Sequence, residues 1–176
     1  ENDEDVRSLV LGEGGILENA RENTLIIDHT TTSSKLSVEL SGKCHSKNVG
    51  YIDAPVSGGE VGAIEGQLTV MCGGNQKDFE KAYELISCYS KFIKLMGPSG
   101  SGQLTKMVNQ ITITGLIQSL AEAIYFSEKA GLDTQQVIEV ISKGAAQSWQ
   151  MENRWKTMVE GKYNHGFAVD LMRKDL

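Results

Sequence analysis

Gly97-Pro98-Ser99-Gly100-Ser101-Gly102-Gln103-Leu104-Thr105-Lys106-Met107-Val108-Asn109-Gln110 divides the chain into two kinds of sequence. Before it, short apolar runs alternate with helical patterns; after it, strand signals stop. Its glycines and Pro98 punctuate the chain, and a helical pattern then runs from about Gln103 to Ala130. No charge occurs from Met107 to Ala121. Met107, Val108, Ile111, Ile113, Leu116, Ile117, Leu120 and Ile124 cover more than one helical face, the pattern of an element packed on several sides. Lys106 stands alone at the mouth of this segment. An unpaired lysine is costly to desolvate and its pKa is easily pushed down, which makes it a candidate for acid/base chemistry. Asn109 and Gln110, three and four residues on, share its face. The competing use of such a lysine is structural, with its stem on apolar surface and its amine in solvent.

Upstream, Leu25–Asp28 reads as a strand entering the cluster His29-Thr30-Thr31-Thr32-Ser33-Ser34, which can cap a helix from about Ser34 to Lys47. Val49–Ala54 is the next strand, ended by Pro55. Leu68–Cys72 and Phe92–Met96 follow, separated by a helix of about Gln76 to Ser87 that Asn75 caps. Strands alternating with helices imply an α/β layer with a mainly parallel sheet. The stretch from Gly58 to Gly66 is too short for a helical crossover, so the third strand is expected to run antiparallel to its neighbour. Beyond the long helix, further helices are expected at about Asp133–Lys143 and Ser148–Glu160.

The 176 residues and 40% hydrophobic content are enough for a substantial core. A net charge of −6 without a basic run argues against nucleic acid as partner. Nothing reaches the length of a membrane span. Cys44, Cys72 and Cys88 show no metal-ligand spacing, and their odd number argues against a disulfide framework, so no metal site is expected and a cytoplasmic setting is the simplest one. His29, His45 and His165 are scattered. The absence of an initiator Met, and the break at Met172–Leu176, predict an internal piece of a longer protein.

In open parallel sheets, ligands bind beyond the carboxyl ends of the strands. One such end carries Asp28-His29-Thr30-Thr31. Another carries Asp53-Ala54-Pro55-Val56-Ser57-Gly58-Gly59, where consecutive N–H groups could form a nest around a carboxylate. Taken singly, each loop reads first as ordinary turn and helix-cap chemistry.

Taken together they resemble the β-hydroxyacid dehydrogenase family. Asp53 to Gly59, with Gly62, Ala63 and Gly66, is similar to its substrate-binding segment. Gly97, Gly100, Gly102, Lys106 and Asn109 resemble its catalytic motif, and Phe167 with Lys174-Asp175-Leu176 its C-terminal signature. Asp28–Thr31 resembles the strand end where a threonine meets nicotinamide. The motifs occur in family order along the whole chain. The family's Gly-rich dinucleotide fingerprint is absent, so the resemblance implies a fragment lacking that unit.

The resemblance implies a partial Rossmann-type NAD(P)-binding domain over 1–98 and the start of an all-helical domain over 99–176, opening with a long inter-domain helix. It implies an oxidoreductase that interconverts a small 3-hydroxy acid and its semialdehyde with NAD or NADP. Lys106 would be the general acid/base. Ser57, Gly58, Gly59, Asn109 and Gln110 would bind substrate, and Thr31 and Lys174 the cofactor. Gln110 stands where some members carry a second Asn, which alters the reach of the amide. The long apolar helix predicts a homodimer or homotetramer in the parent protein, with the fragment itself inactive. The alternative is a non-catalytic dehydrogenase-like module for binding or oligomerisation; such a module would have no chemical need of Lys106 and its amides.

Overall fold

A computed structural model of the chain describes residues 2–164 and 166–176; His165 lies outside the described residues. They form two compact units, 1–108 with 168–176, and 109–167. The mixed α/β class expected from the sequence is observed in the first unit, and the second is helical. The helical pattern changes near residue 98, whereas the first unit extends into the long helix and takes in the last one.

In the first unit, Asn2 caps α1 (Asp3–Leu11) by accepting from the amides of Glu4 and Asp5, while Asp5 bonds back to the Asn2 amide at 3.0 Å. A short α2 (Ile16–Asn19), without a sequence signal of its own, leads to β1 (Leu25–Asp28). Ser33 caps α3 (Ser34–His45) through the Leu36 amide, as the Thr/Ser cluster foretold. β2 (Gly50–Asp53) pairs parallel to β1, with Asp28 opposite Asp53. Asn75 caps α5 (Gln76–Ile86), and β5 (Ser90–Gly97) lies parallel to β4 (Leu68–Gly73).

The segment around Pro55 differs from a plain loop. β3 (Val56–Ser57) pairs with β4 antiparallel, Val56 to Val70 and Ser57 to Thr69, and β2 pairs with the same strand at Asp53 and Gly73. The three pairs share one register, so β2 and β3 are a single line of chain interrupted at Ala54 and Pro55, where proline has no amide to give the ladder. The antiparallel turnabout expected here is present. It is made through α4 (Gly59–Ile64), a helix that packs back on β4 without crossing to a parallel neighbour.

Alternation along β2 builds both faces of the sheet. Tyr51 joins Val6, Val10, Leu36, Leu40 and Cys44 on the side of α1 and α3. Ile52 joins Val70, Cys72, Ala82 and Ile86 on the side of α5. The first unit also holds α9 (Val169–Asp175), which carries the Lys174-Asp175 pair of the C-terminal signature.

α6 (Ser101–Lys129) runs through both units. In the second unit, Leu120 and Ile124 pack with Ile138 of α7 (Thr134–Ile141) and Met151 of α8 (Trp149–Val159). The pattern on α6 predicted burial on several sides, yet Ile111, Tyr125 and Phe126 are exposed. Two short helices cover only the part of α6 that carries Leu120 and Ile124.

Two glycines of α6 separate close packing from helix propensity. A Cβ on Gly102 would stand 2.4 Å from the Met71 carbonyl oxygen and 2.7 Å from Asp53 Oδ2, whereas one on Gly115 would meet nothing within 4 Å. Gly102→Ala should therefore cost about 1–3 kcal/mol, the usual penalty of overpacking. Gly115→Ala should gain about 0.5–1 kcal/mol from helix propensity. Urea denaturation of each variant measures both; equal effects would sink the packing role given to Gly102.

Candidate active site

The carboxyl ends of β1 and β2 lie side by side, and the first turn of α6 is seated on them. Asp53 is completely buried, and its carboxylate accepts from the amides of Gly100 (2.7 Å) and Gln103 (3.1 Å). Burial pushes its pKa up, and the amides of Gly100, Gln103 and Gly102 pull against that. The donors to this carboxylate thus come from the turn before α6 and from its first turn, and the carboxylate is structural. Gly100, at φ +91, and Gly102 are glycines for this seat. Any side chain on Gly100 would be strained by that φ and would meet the Ser34 carbonyl oxygen at 2.9 Å.

Three side chains hold the loop after β1. Asp28 accepts from the Tyr51 hydroxyl (3.0 Å) and the Thr30 amide (2.9 Å). The Gln103 amide group donates to the Thr30 carbonyl at 2.7 Å and accepts from the Thr32 amide at 3.1 Å. Lys174 Nζ donates to the Thr31 carbonyl at 2.7 Å and pairs with Asp175 Oδ1 at 3.1 Å. Thr31 and Lys174, far apart in sequence, are therefore brought together.

Lys106 lies one turn of α6 after Gln103 and is only 9% exposed. Desolvation lowers its pKa; the buried Asp175 carboxylate opposes the shift and Lys174 adds to it. Among the described residues no salt bridge engages its ammonium. Ser57 closes β3 half-buried, and Gly58 and Gly59 are exposed at the start of α4. Asn109 and Gln110 belong to the second unit, where the Asn109 amide donates to Gln110 Oε1 at 2.9 Å. Sequence reasoning missed Gln103 and the Asp28–Tyr51 pair: an amide inside a glycine-rich turn and a tyrosine in an apolar strand carry no local signal of what they hold. Burial pushes the Cys44 thiol up to about 11 and the Cys72 thiol to about 12, which disfavours the reactive thiolate at both.

Residues 1–97 match the family model of the NAD binding domain of 6-phosphogluconate dehydrogenase, and residues 100–176 match that described as NAD-binding of NADP-dependent 3-hydroxyisobutyrate dehydrogenase. The chain belongs to the β-hydroxyacid dehydrogenase family. An uncharacterised oxidoreductase of Shewanella frigidimarina is 55% identical over 99% of this chain and 60% of its own length. The 2-hydroxy-3-oxopropionate reductase of Escherichia coli is 34% identical, over 97% of this chain and 59% of its own. The solved structure of Mycobacterium tuberculosis 3-hydroxyisobutyrate dehydrogenase with L-serine is similar at a TM-score of 0.87 and 29% identity, covering 99% of this chain and 61% of that one. The chain thus spans about three fifths of the length of its dehydrogenase relatives.

The cofactor class of the family, NAD or NADP, suits the donors at the end of β1. Threonine hydroxyls, main-chain amides and the Lys174 ammonium are groups that bond a nicotinamide carboxamide and ribose. Thr32 Oγ1 is buried there without a partner among the described residues. No group of acidic, His or Cys side chains able to hold a metal occurs among the described residues. Among them no helix is long and apolar enough to cross a membrane.

The depressed pKa of Lys106 has a consequence for stability. Between the folded value and the ordinary 10.5, the folded chain binds fewer protons than the unfolded one, so stability rises with pH in that window. Below the folded value both states are charged and the full cost of burying the ammonium remains. Lys106→Met, which keeps the stem and removes the charge, should raise Tm at neutral pH and lose that advantage at alkaline pH. A lower Tm at neutral pH would mean that the ammonium is a needed partner in the fold.

Proposed function

We propose that the protein carrying this chain interconverts a small 3-hydroxy acid and its semialdehyde with NAD or NADP, using Lys106 as general acid/base. The observation that carries this reading is the desolvated Lys106, one helical turn beyond a clamp on the loop that would face the cofactor. Membership of the β-hydroxyacid dehydrogenases, and relatives named 2-hydroxy-3-oxopropionate reductase and 3-hydroxyisobutyrate dehydrogenase, support the substrate class.

Bound nicotinamide supplies or takes up the hydride. The chain's own residues place the reactants and move a proton. In reduction, Lys106 protonates the carbonyl oxygen; in oxidation, the neutral amine takes the hydroxyl proton. The lowered pKa serves both directions, because the amine then exchanges its proton nearer to neutral pH. The Ser57 hydroxyl and the backbone of Gly58 and Gly59 hold the substrate carboxylate. Asn109 and Gln110, three and four residues along α6 from Lys106, offer amides to the substrate. Thr31 and Lys174 contact the cofactor. We assign NAD and NADP equally, and a cytoplasmic setting on the strength of the free Cys44, Cys72 and Cys88.

The exposed Leu104, Val108 and Ile111 of α6 support a homodimer or homotetramer, since burial of each such side chain is worth about 1.5–3 kcal/mol.

Lys106→Ala should lower kcat by roughly 10²–10⁴-fold, the usual worth of a positioned acid/base group, with cofactor affinity nearly unchanged. Wild-type oxidation should rise with pH and reduction fall, with a midpoint below 10.5. Near-normal turnover in the variant would end the proton-transfer role. Ser57→Ala should raise KM for carboxylate substrates; because Ser57 is part of β3, Tm is measured alongside, and a fall in Tm with KM unchanged would make its role structural.

A further inference from the structure

Gln103 is wholly buried, and its side-chain amide bonds on both sides: Nε2 to the Thr30 carbonyl at 2.7 Å and Oε1 to the Thr32 amide at 3.1 Å. Its own backbone amide donates to Asp53 Oδ2. One residue thus spans three parts of the first unit: the loop after β1, the end of β2 and the first turn of α6. Thr31 sits between its two partners, and the Thr31 carbonyl is in turn held by Lys174. Lys106 follows three residues later on the same face of the same helix. A buried amide bonded at both ends leaves little freedom, because either bond, once broken, strands a polar group away from water. Movement of Thr30–Thr32 therefore moves Gln103, and Gln103 cannot shift without disturbing the turn that carries Lys106.

We propose that Gln103 is a positioning residue that couples the cofactor-facing loop Thr30–Thr32 to the placement of Lys106, so that cofactor binding and orientation of the lysine are one event. The inference rests on the proposed roles of Thr31 and Lys106. Gln103 touches neither the reacting atoms nor the substrate; it acts through the residues it holds. A glutamine suits this better than any other side chain. One end must donate to a carbonyl and the other must accept from an amide, at a reach that asparagine lacks.

The test uses Gln103→Glu and Gln103→Met in the protein carrying this chain. Ionised Glu still accepts from the Thr32 amide but sets a carboxylate against the Thr30 carbonyl; protonated Glu restores a donor to it. Isothermal titration with NAD and NADP should show Gln103→Glu binding about tenfold more weakly at neutral pH. Its affinity should recover as pH falls and the carboxyl protonates, while Gln103→Met stays weak at every pH. Both variants should also displace the pH profile of kcat relative to wild type, since the lysine is no longer held in its place. Wild-type affinity and an unchanged kcat profile in either folded variant would overturn the coupling. Should both variants fail to fold, amide hydrogen exchange on the wild type decides: cofactor must slow exchange at Thr32 and at Gln103, and no change at these amides overturns it. Normal turnover in Lys106→Ala would instead sink the acid/base reading while leaving the exchange result standing.

Discussion

The buried Asp53 carboxylate is the constraint on which the site depends. A carboxylate cannot stay charged in an apolar interior without donors, and the donors here are the amides of Gly100 and Gln103 at the start of α6. That requirement fixes where the long helix begins. It also explains the glycines before it: the turn must press close enough for its amides to reach Oδ1 and Oδ2, and a side chain on Gly102 would fill that gap. The same contact brings Gln103 to the loop after β1, so the seat of the helix and the shape of the loop are set together.

Much of this was legible in sequence. Short apolar runs bounded by turn residues located β1, β4 and β5, and the caps at Ser33 and Asn75 are the hydroxyl and amide side chains expected there. Lys106 could be singled out because it is one charge before an uncharged helix. What stayed hidden is non-local. Asp53 reads as a loop carboxylate until the turn 47 residues later is known to donate to it. Ser57 reads as loop, since Pro55 interrupts the strand whose register continues through it. Lys174 meets Thr31 across 143 residues, and only the return of α9 makes that contact. The apolar stripe of α6 was read as buried because composition reports what a surface prefers, not which neighbour supplies the cover.

Two effects could depress the basicity of Lys106, and their sizes decide between them. The helix macrodipole places partial positive charge at the start of α6, which disfavours an ammonium, but its worth is about 0.3–1 kcal/mol and fades within the first turn. Lys106 is already in the second turn, counting from Ser101. Desolvation can reach 3–5 pKa units for a fully buried amine, so burial dominates. The buried Asp175 carboxylate limits the shift without cancelling it. The basicity of Lys106 is thus set by burial together with the carboxylate and the ammonium that α9 brings to it.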